Sequence, residues 1–255
     1  MRRLKLLVLA LMIVPAASWS PSWMPGDAAA AGRDTSRVTI GSGANAISAF
    51  VAWPEADKPA PAVIVVHESW GLNGQIRTVA KRLAQEGYVA IVPDLYRGRA
   101  ADAEAASSRG PDETQAVADL EAAAAWLHTQ PRANGDRIGV MGFGTGGRLS
   151  QLLAMRVPLA ALVMFYGRPE TGAAALATLK APLQAHFGGD DQGIGPEQVD
   201  ALTAGIGRAG RTGEVHVYAN AGPAFMHEGR DSYRLEAARL AWARTLVFLQ
   251  KYLKS

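Results

Sequence analysis

The 255-residue chain is 49% hydrophobic and 19% charged, which suits a folded domain with a substantial core. Its net charge is only +3, and both signs are spread along the chain without a basic block interleaved with aromatic residues. We therefore expect no nucleic-acid partner. The chain has no cysteine, which excludes both disulfides and thiol chemistry.

The N-terminal residues have the features of an export signal. Positive charges at Arg2, Arg3 and Lys5 precede an apolar stretch over residues 6–14, and small residues suited to cleavage occupy 27–31. This order is typical of a secretory signal peptide, so we predict that residues 1–31 are removed and that the protein is exported to the periplasm or secreted.

An uncleaved membrane anchor is the alternative interpretation of the same residues. The apolar stretch is shorter than the roughly 20 residues that a spanning helix needs, and Pro15 interrupts it. We therefore expect no stable membrane span in the mature chain.

Apolar patterning predicts one α/β domain over residues 32–255. Two strands with alternating polarity come first, and β-branched runs then alternate with segments of helical spacing. Such alternation predicts a mostly parallel sheet with helices on both faces, whose ligand site lies beyond the carboxyl ends of the strands. The predicted strands are 38–40, 46–51, 62–66, 88–92, 137–143, 159–166, 182–187 and 214–218. The predicted helices are 75–85, 111–128, 148–155, 196–208 and 231–253.

Five motifs follow predicted strands and together resemble one family. The segment 142–147, Gly-Phe-Gly-Thr-Gly-Gly, has the glycine frame of a nucleophile elbow, although alone it could be an ordinary glycine-rich turn. Residues 67–73 read His-Glu-Ser-Trp-Gly-Leu-Asn, 93–96 read Pro-Asp-Leu-Tyr, and 187–191 end in Asp-Asp. With 218–225 and the closing helix, this order resembles the dienelactone hydrolases (carboxymethylenebutenolidases). The resemblance implies an α/β-hydrolase fold and assigns the triad acid to Asp191.

Two positions depart from the pattern that the resemblance implies. The family elbow carries a cysteine where this chain has Gly144, and the family histidine falls on Pro223. Glycine has no nucleophilic atom and proline has no titratable group, so neither can take its part in covalent ester hydrolysis. These residues predict a pseudoenzyme, because loss of one triad member typically costs about four to six orders of magnitude in turnover.

Other polar residues near the predicted site offer alternatives. Thr145 and Ser69 carry hydroxyls, and His227 could line the pocket or act as a displaced base. In an elbow, however, the residue at the position of Thr145 ordinarily supplies a backbone N–H to the oxyanion hole. We expect His186 to be a hydrogen-bonded core residue, and His128 and His216 to be structural or exposed.

Two acidic residues remain without their family partners. The resemblance places Glu68 beside the resting nucleophile, so here it is either a remnant held by local hydrogen bonds or a partly buried carboxylate with a raised pKa. Asp191 has lost its histidine and could simply cap the following loop.

The sequence leaves open whether the protein binds or catalyses. We predict a non-catalytic or strongly impaired hydrolase relative whose pocket, lined by Trp70, Tyr96, Thr145, Phe225 and His227, binds a small ligand or a partner protein. The alternative is an active ester or lactone hydrolase with a rearranged site. A structural role in the cell envelope has no positive feature in its favour. The histidines lack metal-ligand spacing, so we expect neither metal nor cofactor.

Overall fold

A computed structural model of the protein describes residues 34–98 and 110–255. The predicted signal peptide lies outside the described residues. One sheet of eight strands organises the described chain. The strands are β1 Thr35–Ile40, β2 Ile47–Ala52, β3 Ala60–Val66, β4 Val89–Pro93, β5 Ala133–Phe143, β6 Ala161–Phe165, β7 Leu183–Gly188 and β8 Gly213–Tyr218.

The strand order across the sheet is β1-β2-β4-β3-β5-β6-β7-β8. The β1–β2 and β2–β4 pairs are antiparallel, and every later pair is parallel. The carboxyl ends of β3 to β8 therefore meet at one edge of the sheet, where an open α/β sheet places its ligand site. This arrangement confirms the predicted fold class.

Helices cover both faces of the sheet, as the continuous apolar runs in β3 to β7 require. Apolar residues of α2, α3 and α5 pack on one face, and those of α1 and α6 pack on the other. The helices are α1 Gly74–Gln85, α2 Glu113–His128, α3 Thr145–Arg156, α4 Ala173–Leu176, α5 Pro196–Arg208 and α6 Leu235–Leu253, and one 3-10 turn spans Gly43–Asn45. No helix within the two described ranges is both long and apolar enough to cross a membrane.

Most predicted element boundaries agree with the structure to within two residues, but β1 begins three residues and β5 four residues earlier than predicted. Helix α3 begins three residues earlier than predicted, because Gly146 and Gly147 form its first turn instead of a loop. Helix α6 begins four residues later, after a turn in which Tyr233 N–H donates to the Arg230 carbonyl. The sequence did not predict the single-turn helix α4, which lacks apolar periodicity.

Candidate active site

The turn between β5 and α3 has the geometry of a nucleophile elbow. Gly144 has φ +53° and ψ −120°, a backbone conformation that glycine adopts at little cost. Its N–H donates to the Phe165 carbonyl at 2.9 Å, and its carbonyl accepts from Gly147 N–H at 2.9 Å. These bonds fix the turn from both sides.

Close backbone packing explains the other glycines of this turn. A Cβ atom on Gly142 would lie 2.1 Å from the Gly146 carbonyl oxygen, and one on Gly146 would lie 2.4 Å from that of His67. At Gly144, by contrast, a Cβ atom would meet only Glu68 Cγ, at 3.7 Å. The elbow therefore has room for a side chain at position 144, but the sequence supplies none.

Thr145 begins α3 and is exposed. Within the described part of the chain, no backbone carbonyl accepts its N–H outside the helix, as expected for the first residue of a helix. This N–H could stabilise negative charge on a bound carbonyl oxygen. The structure thus supports a backbone role for Thr145.

Glu68 follows β3 and faces the elbow. Its Oε1 atom is buried and has no hydrogen-bond partner among the described residues. Burial raises the pKa of Glu68 to about 7, although the Tyr166 hydroxyl and the positive charge of Arg230 partly offset the effect. The carboxyl group therefore changes charge near neutral pH. This agrees with the second of the two interpretations of this residue, a buried carboxylate with a raised pKa.

Tyr166 is the partner of Glu68 that sequence reasoning missed. It lies just after β6 with φ +38°, and its N–H donates to the His186 carbonyl at 2.7 Å. Burial and the nearby Glu68 carboxylate raise the pKa of its hydroxyl well above the usual value, so this hydroxyl stays protonated. The signal in the sequence that could have identified Tyr166 is its position, because it is an aromatic residue at the end of a strand, on the edge of the sheet that carries the site.

A small cavity lies beside Glu68 and Tyr166. Its volume is about 20 Å³, which is room for roughly one water molecule. Apolar side chains, including Ile76, Val79 and Phe143, form much of its wall. A ligand larger than water must therefore bind at the open mouth of the site or displace these side chains.

His67 fixes the backbone that carries Glu68. Its Nε2 accepts from Leu95 N–H at 3.2 Å, so Nδ1 carries the proton and donates to the Glu68 carbonyl at 2.7 Å. The Tyr96 ring stacks on it at 5.5 Å, and the Tyr96 hydroxyl donates to the Ser69 carbonyl at 2.7 Å. Tyr96, predicted to line the pocket, is buried and instead holds this loop.

Trp70, His227 and Arg230 surround the open mouth of the site. The Arg230 guanidinium lies 3.4 Å from the centroid of the Trp70 ring, and the His227 ring meets that ring edge-on at 5.4 Å. His227 lines the small cavity, and Trp70, His227 and Arg230 line a more open pocket that shares His227 with it. Arg230 was not predicted, because nothing in the sequence places it on Trp70.

His227 is poorly placed to act as a displaced base. Its Nδ1 accepts from Gly229 N–H at 3.2 Å, so the neutral ring carries its proton on Nε2. Burial, followed by the positive charge of Arg230, lowers the pKa of this ring. Its one basic atom is thus already in use.

The remaining predicted site residues lie apart from the cavity. Asp191 is buried, and its Oδ1 accepts from Gly193 N–H at 2.8 Å and Ile194 N–H at 3.2 Å. It therefore caps the following loop, as one prediction proposed. Pro223 is exposed. Phe225 is fully buried and packs edge-on against Tyr166 at 5.4 Å, so it belongs to the core that supports the site.

The strand order and the elbow define an α/β-hydrolase fold. The dienelactone hydrolase family matches residues 47–253, and the chain belongs to that family. A protein of Methylorubrum extorquens named "Putative carboxymethylenebutenolidase" is 35% identical over 226 residues, which cover 81% of this chain and 77% of the relative. A protein of the same name from Escherichia coli K12 is 34% identical over 250 residues, 89% of each chain.

Two solved structures agree with this assignment. One, a "Putative Dienelactone Hydrolase" from Klebsiella pneumoniae, has a TM-score of 0.79 at 32% identity, and the match covers 86% of this chain and 99% of that one. The other, a dienelactone hydrolase-like promiscuous phosphotriesterase from metagenomic libraries, has a TM-score of 0.78 at 25% identity, with 86% and 98% coverage.

Residues 34–98 and 110–255 contain no group of three or more acidic, histidine or cysteine residues arranged to hold a metal ion.

Alanine substitutions of one elbow glycine and of one glycine in another helix should separate the effect of close packing on stability from that of helix propensity. Gly146→Ala should lower the free energy of unfolding by roughly 3 kcal/mol or more, because its methyl group would overlap the His67 carbonyl. Gly207→Ala, also in a helix but with no atom within 4 Å, should be neutral or stabilising by up to about 1 kcal/mol. Urea unfolding would measure both, and equal effects would contradict the packing argument.

The raised pKa of Glu68 predicts how stability depends on pH. The folded-state pKa of about 7 exceeds the ordinary value of 4.5, so the unfolded state binds fewer protons between these values. The free energy of unfolding should therefore fall as the pH rises through this window, by at most ~3 kcal/mol. Glu68→Gln should remove this part of the pH dependence. Parallel stability curves for the two proteins would show that Glu68 does not titrate as described.

Proposed function

We propose that this protein is a non-catalytic or strongly impaired member of its family that retains a site for a small ligand. The observation that carries the proposal is Gly144, which occupies the nucleophile position of an intact elbow without a side chain. Attack on an ester carbonyl through a covalent intermediate needs a thiolate or an alkoxide at this point. Backbone N–H groups can polarise a carbonyl, but they cannot form the acyl bond.

The other two triad positions support the same proposal. The Pro223 side chain has no atom that can accept a proton, and Asp191 directs one carboxylate oxygen to the backbone of its own loop. His227 uses its basic nitrogen on Gly229 N–H. None of these three residues therefore combines a free nucleophile with an adjacent base in the geometry that hydrolysis requires.

The features that remain favour binding. Trp70 and the Arg230 guanidinium that lies over its ring form an aromatic and cationic opening to the site. Glu68 offers a buried carboxyl oxygen that is free to pair with a polar group of a ligand. A small ester, lactone or carboxylic acid would match the carbonyl-binding N–H of Thr145. The basic and apolar N-terminus leads us to propose further that the protein acts outside the cytoplasm.

A second candidate is hydrolysis through a rearranged site. The relatives carry names of ester or lactone hydrolases, and the unpaired Oε1 of Glu68 could activate a water molecule when the carboxyl is ionised. Such a route needs no side chain at position 144. Thr145, Ser69 and His227 would be the other candidates for the chemistry.

An esterase assay with covalent trapping separates the two candidates. With p-nitrophenyl acetate and a dienelactone we expect no turnover above the protein-free background, and no adduct with a fluorophosphonate probe in the intact-mass spectrum. If turnover or an adduct is observed, the same assay would be repeated with four variants: Glu68→Gln, Thr145→Ala, Ser69→Ala and His227→Ala. Turnover that one of them abolishes would establish the rearranged site and refute the proposal.

Restoring the missing groups tests whether the rest of the site is intact. The double substitution Gly144→Cys with Pro223→His should give measurable esterase activity, because a Cβ at position 144 meets only Glu68 Cγ at 3.7 Å. The matched control is Gly144→Ala with Pro223→His, which has the same added backbone strain of about 1–3 kcal/mol but no thiol. Activity should appear only in the thiol variant. Two equally inactive, folded proteins would show that the surroundings no longer support catalysis.

A further inference from the structure

A second pocket lies where the antiparallel strands β1 and β2 meet α1. Its volume is about 260 Å³, against about 20 Å³ for the cavity beside Glu68, and the two share no lining residue. Pockets for drug-sized ligands typically measure about 300–1,000 Å³, so this one suits a smaller molecule. Two arginines, Arg37 and Arg77, lie on its wall together with the carboxylate of Asp94.

The pairing of β1 with β2 places one of these arginines on the pocket. Arg37 is directly opposite Phe50 in the antiparallel pair, so both side chains lie on the same face of the sheet. Ser48 shares that face, because it lies two residues before Phe50 on β2. Helix α1 packs on this face and supplies Arg77, whose guanidinium carbon lies 5.7 Å from the centre of the Phe50 ring. The fold therefore brings two cations, an aromatic ring and a hydroxyl to one pocket.

Neither arginine is paired with an acid within the described structure. No salt bridge among the described residues involves Arg37 or Arg77, and neither guanidinium forms a hydrogen bond there. The Nε atom of Arg77 is buried and has no acceptor. Buried donors normally have a partner, because a donor without one has lost its bonds to water and gained nothing in exchange. A ligand that accepts hydrogen bonds would supply this partner.

Asp94 gives the same pocket an acceptor. Its Oδ1 accepts from Tyr96 N–H at 3.2 Å and its Oδ2 accepts from Gly98 N–H at 2.9 Å, so the turn after β4 holds the carboxylate in place. An ionised carboxylate can accept about four hydrogen bonds, so further acceptor positions remain. A hydroxyl group of a ligand can donate to these positions, whereas an anionic group would be repelled from them.

We propose that this pocket binds a small phosphate monoester that carries hydroxyl groups, with its phosphate against Arg37 and Arg77 and its hydroxyls against Asp94. Guanidinium groups bind phosphate through paired, charge-assisted hydrogen bonds. A phosphate monoester has three terminal oxygens and a charge of about −1.5 to −2 at neutral pH, so it can engage both arginines. A carboxylate has one charge and two oxygens in one plane, which a single guanidinium already matches.

Titration calorimetry with glycerol 3-phosphate at low ionic strength tests the proposal. We expect one site per chain. Glycerate, whose anionic group is a carboxylate, should bind at least about tenfold more weakly, and inorganic phosphate, which has no carbon-bound hydroxyls, should also bind more weakly. No binding of glycerol 3-phosphate at millimolar concentration, or equal affinity for either of the other two compounds, would overturn the proposal.

Arginine substitutions test where the compound binds. Arg37→Gln and Arg77→Gln should each weaken the binding of glycerol 3-phosphate at least about tenfold, because each removes charge-assisted hydrogen bonds. Arg208→Gln is the matched control, since Arg208 is exposed on α5 outside the pocket and its loss changes the net charge equally. Arg37 is exposed, so its variant should fold even if Arg77→Gln lowers stability. Unchanged binding in the Arg37 variant, or equal weakening in the control, would contradict this location.

Asp94→Asn tests the part of the proposal that concerns the hydroxyl groups. The substitution removes a negative charge, so inorganic phosphate should bind more tightly. The preference for glycerol 3-phosphate over inorganic phosphate should shrink, because an amide oxygen is a weaker acceptor than a carboxylate. Circular dichroism would verify that the variant is folded. An unchanged ratio of the two affinities would show that Asp94 does not bind the hydroxyl groups.

Discussion

The close approach of α3 to the ends of β3 and β5 is the constraint on which the rest of the site depends. The backbone of the first α3 turn lies so near the end of β5 and the His67 carbonyl that no side chain fits at Gly142 or Gly146. This packing fixes the direction of α3, presents its first N–H groups to the ligand edge and determines where a side chain at position 144 would point. The elbow geometry is therefore a property of the backbone and persists with glycine at position 144.

A carboxyl group in an apolar setting dominates the electrostatics of the same site. Glu68 lines a cavity large enough for about one water molecule together with Phe143, Tyr166 and Met226, and one of its oxygens has no partner in the described structure. Removing such a group from water without full compensation is costly, which is why protonation becomes favourable near neutral pH. A stable protein that retains this cost is consistent with a use for the carboxyl group, and the binding role proposed above gives it one.

The sequence was sufficient to predict the sheet and the elbow because both depend on local patterns. Runs such as 62–66 identify buried strands, and the spacing of Gly142, Gly144 and Gly146 identifies the turn. The loop-capping role of Asp191 was also within reach, since a carboxylate two residues before a glycine commonly bonds the backbone.

Side-chain orientation and distant contacts could not be predicted in the same way. Tyr96 and Phe225 follow the right motifs but turn inward, the first to hold the loop at Ser69 and the second to pack on Tyr166. Tyr166 and Arg230 reach Glu68 and Trp70 from segments far away in the sequence. Patterns of residue type show which edge of a sheet carries a site, but contacts across that edge depend on the packing of the whole fold.

The hydrogen bonds of His67 have a thermodynamic consequence for recognition. The imidazole joins the Glu68 carbonyl to the Leu95 N–H, and the neighbouring Tyr96 hydroxyl joins the Ser69 carbonyl, so the main chain on both sides of the carboxylate is immobilised before any ligand arrives. A molecule that pairs with Glu68 then restricts the rotamers of one side chain, at an entropic cost of about 0.5–1.5 kcal/mol, and does not have to order a loop. A ligand of this site would therefore lose less binding free energy to ordering than one that must first order a loop.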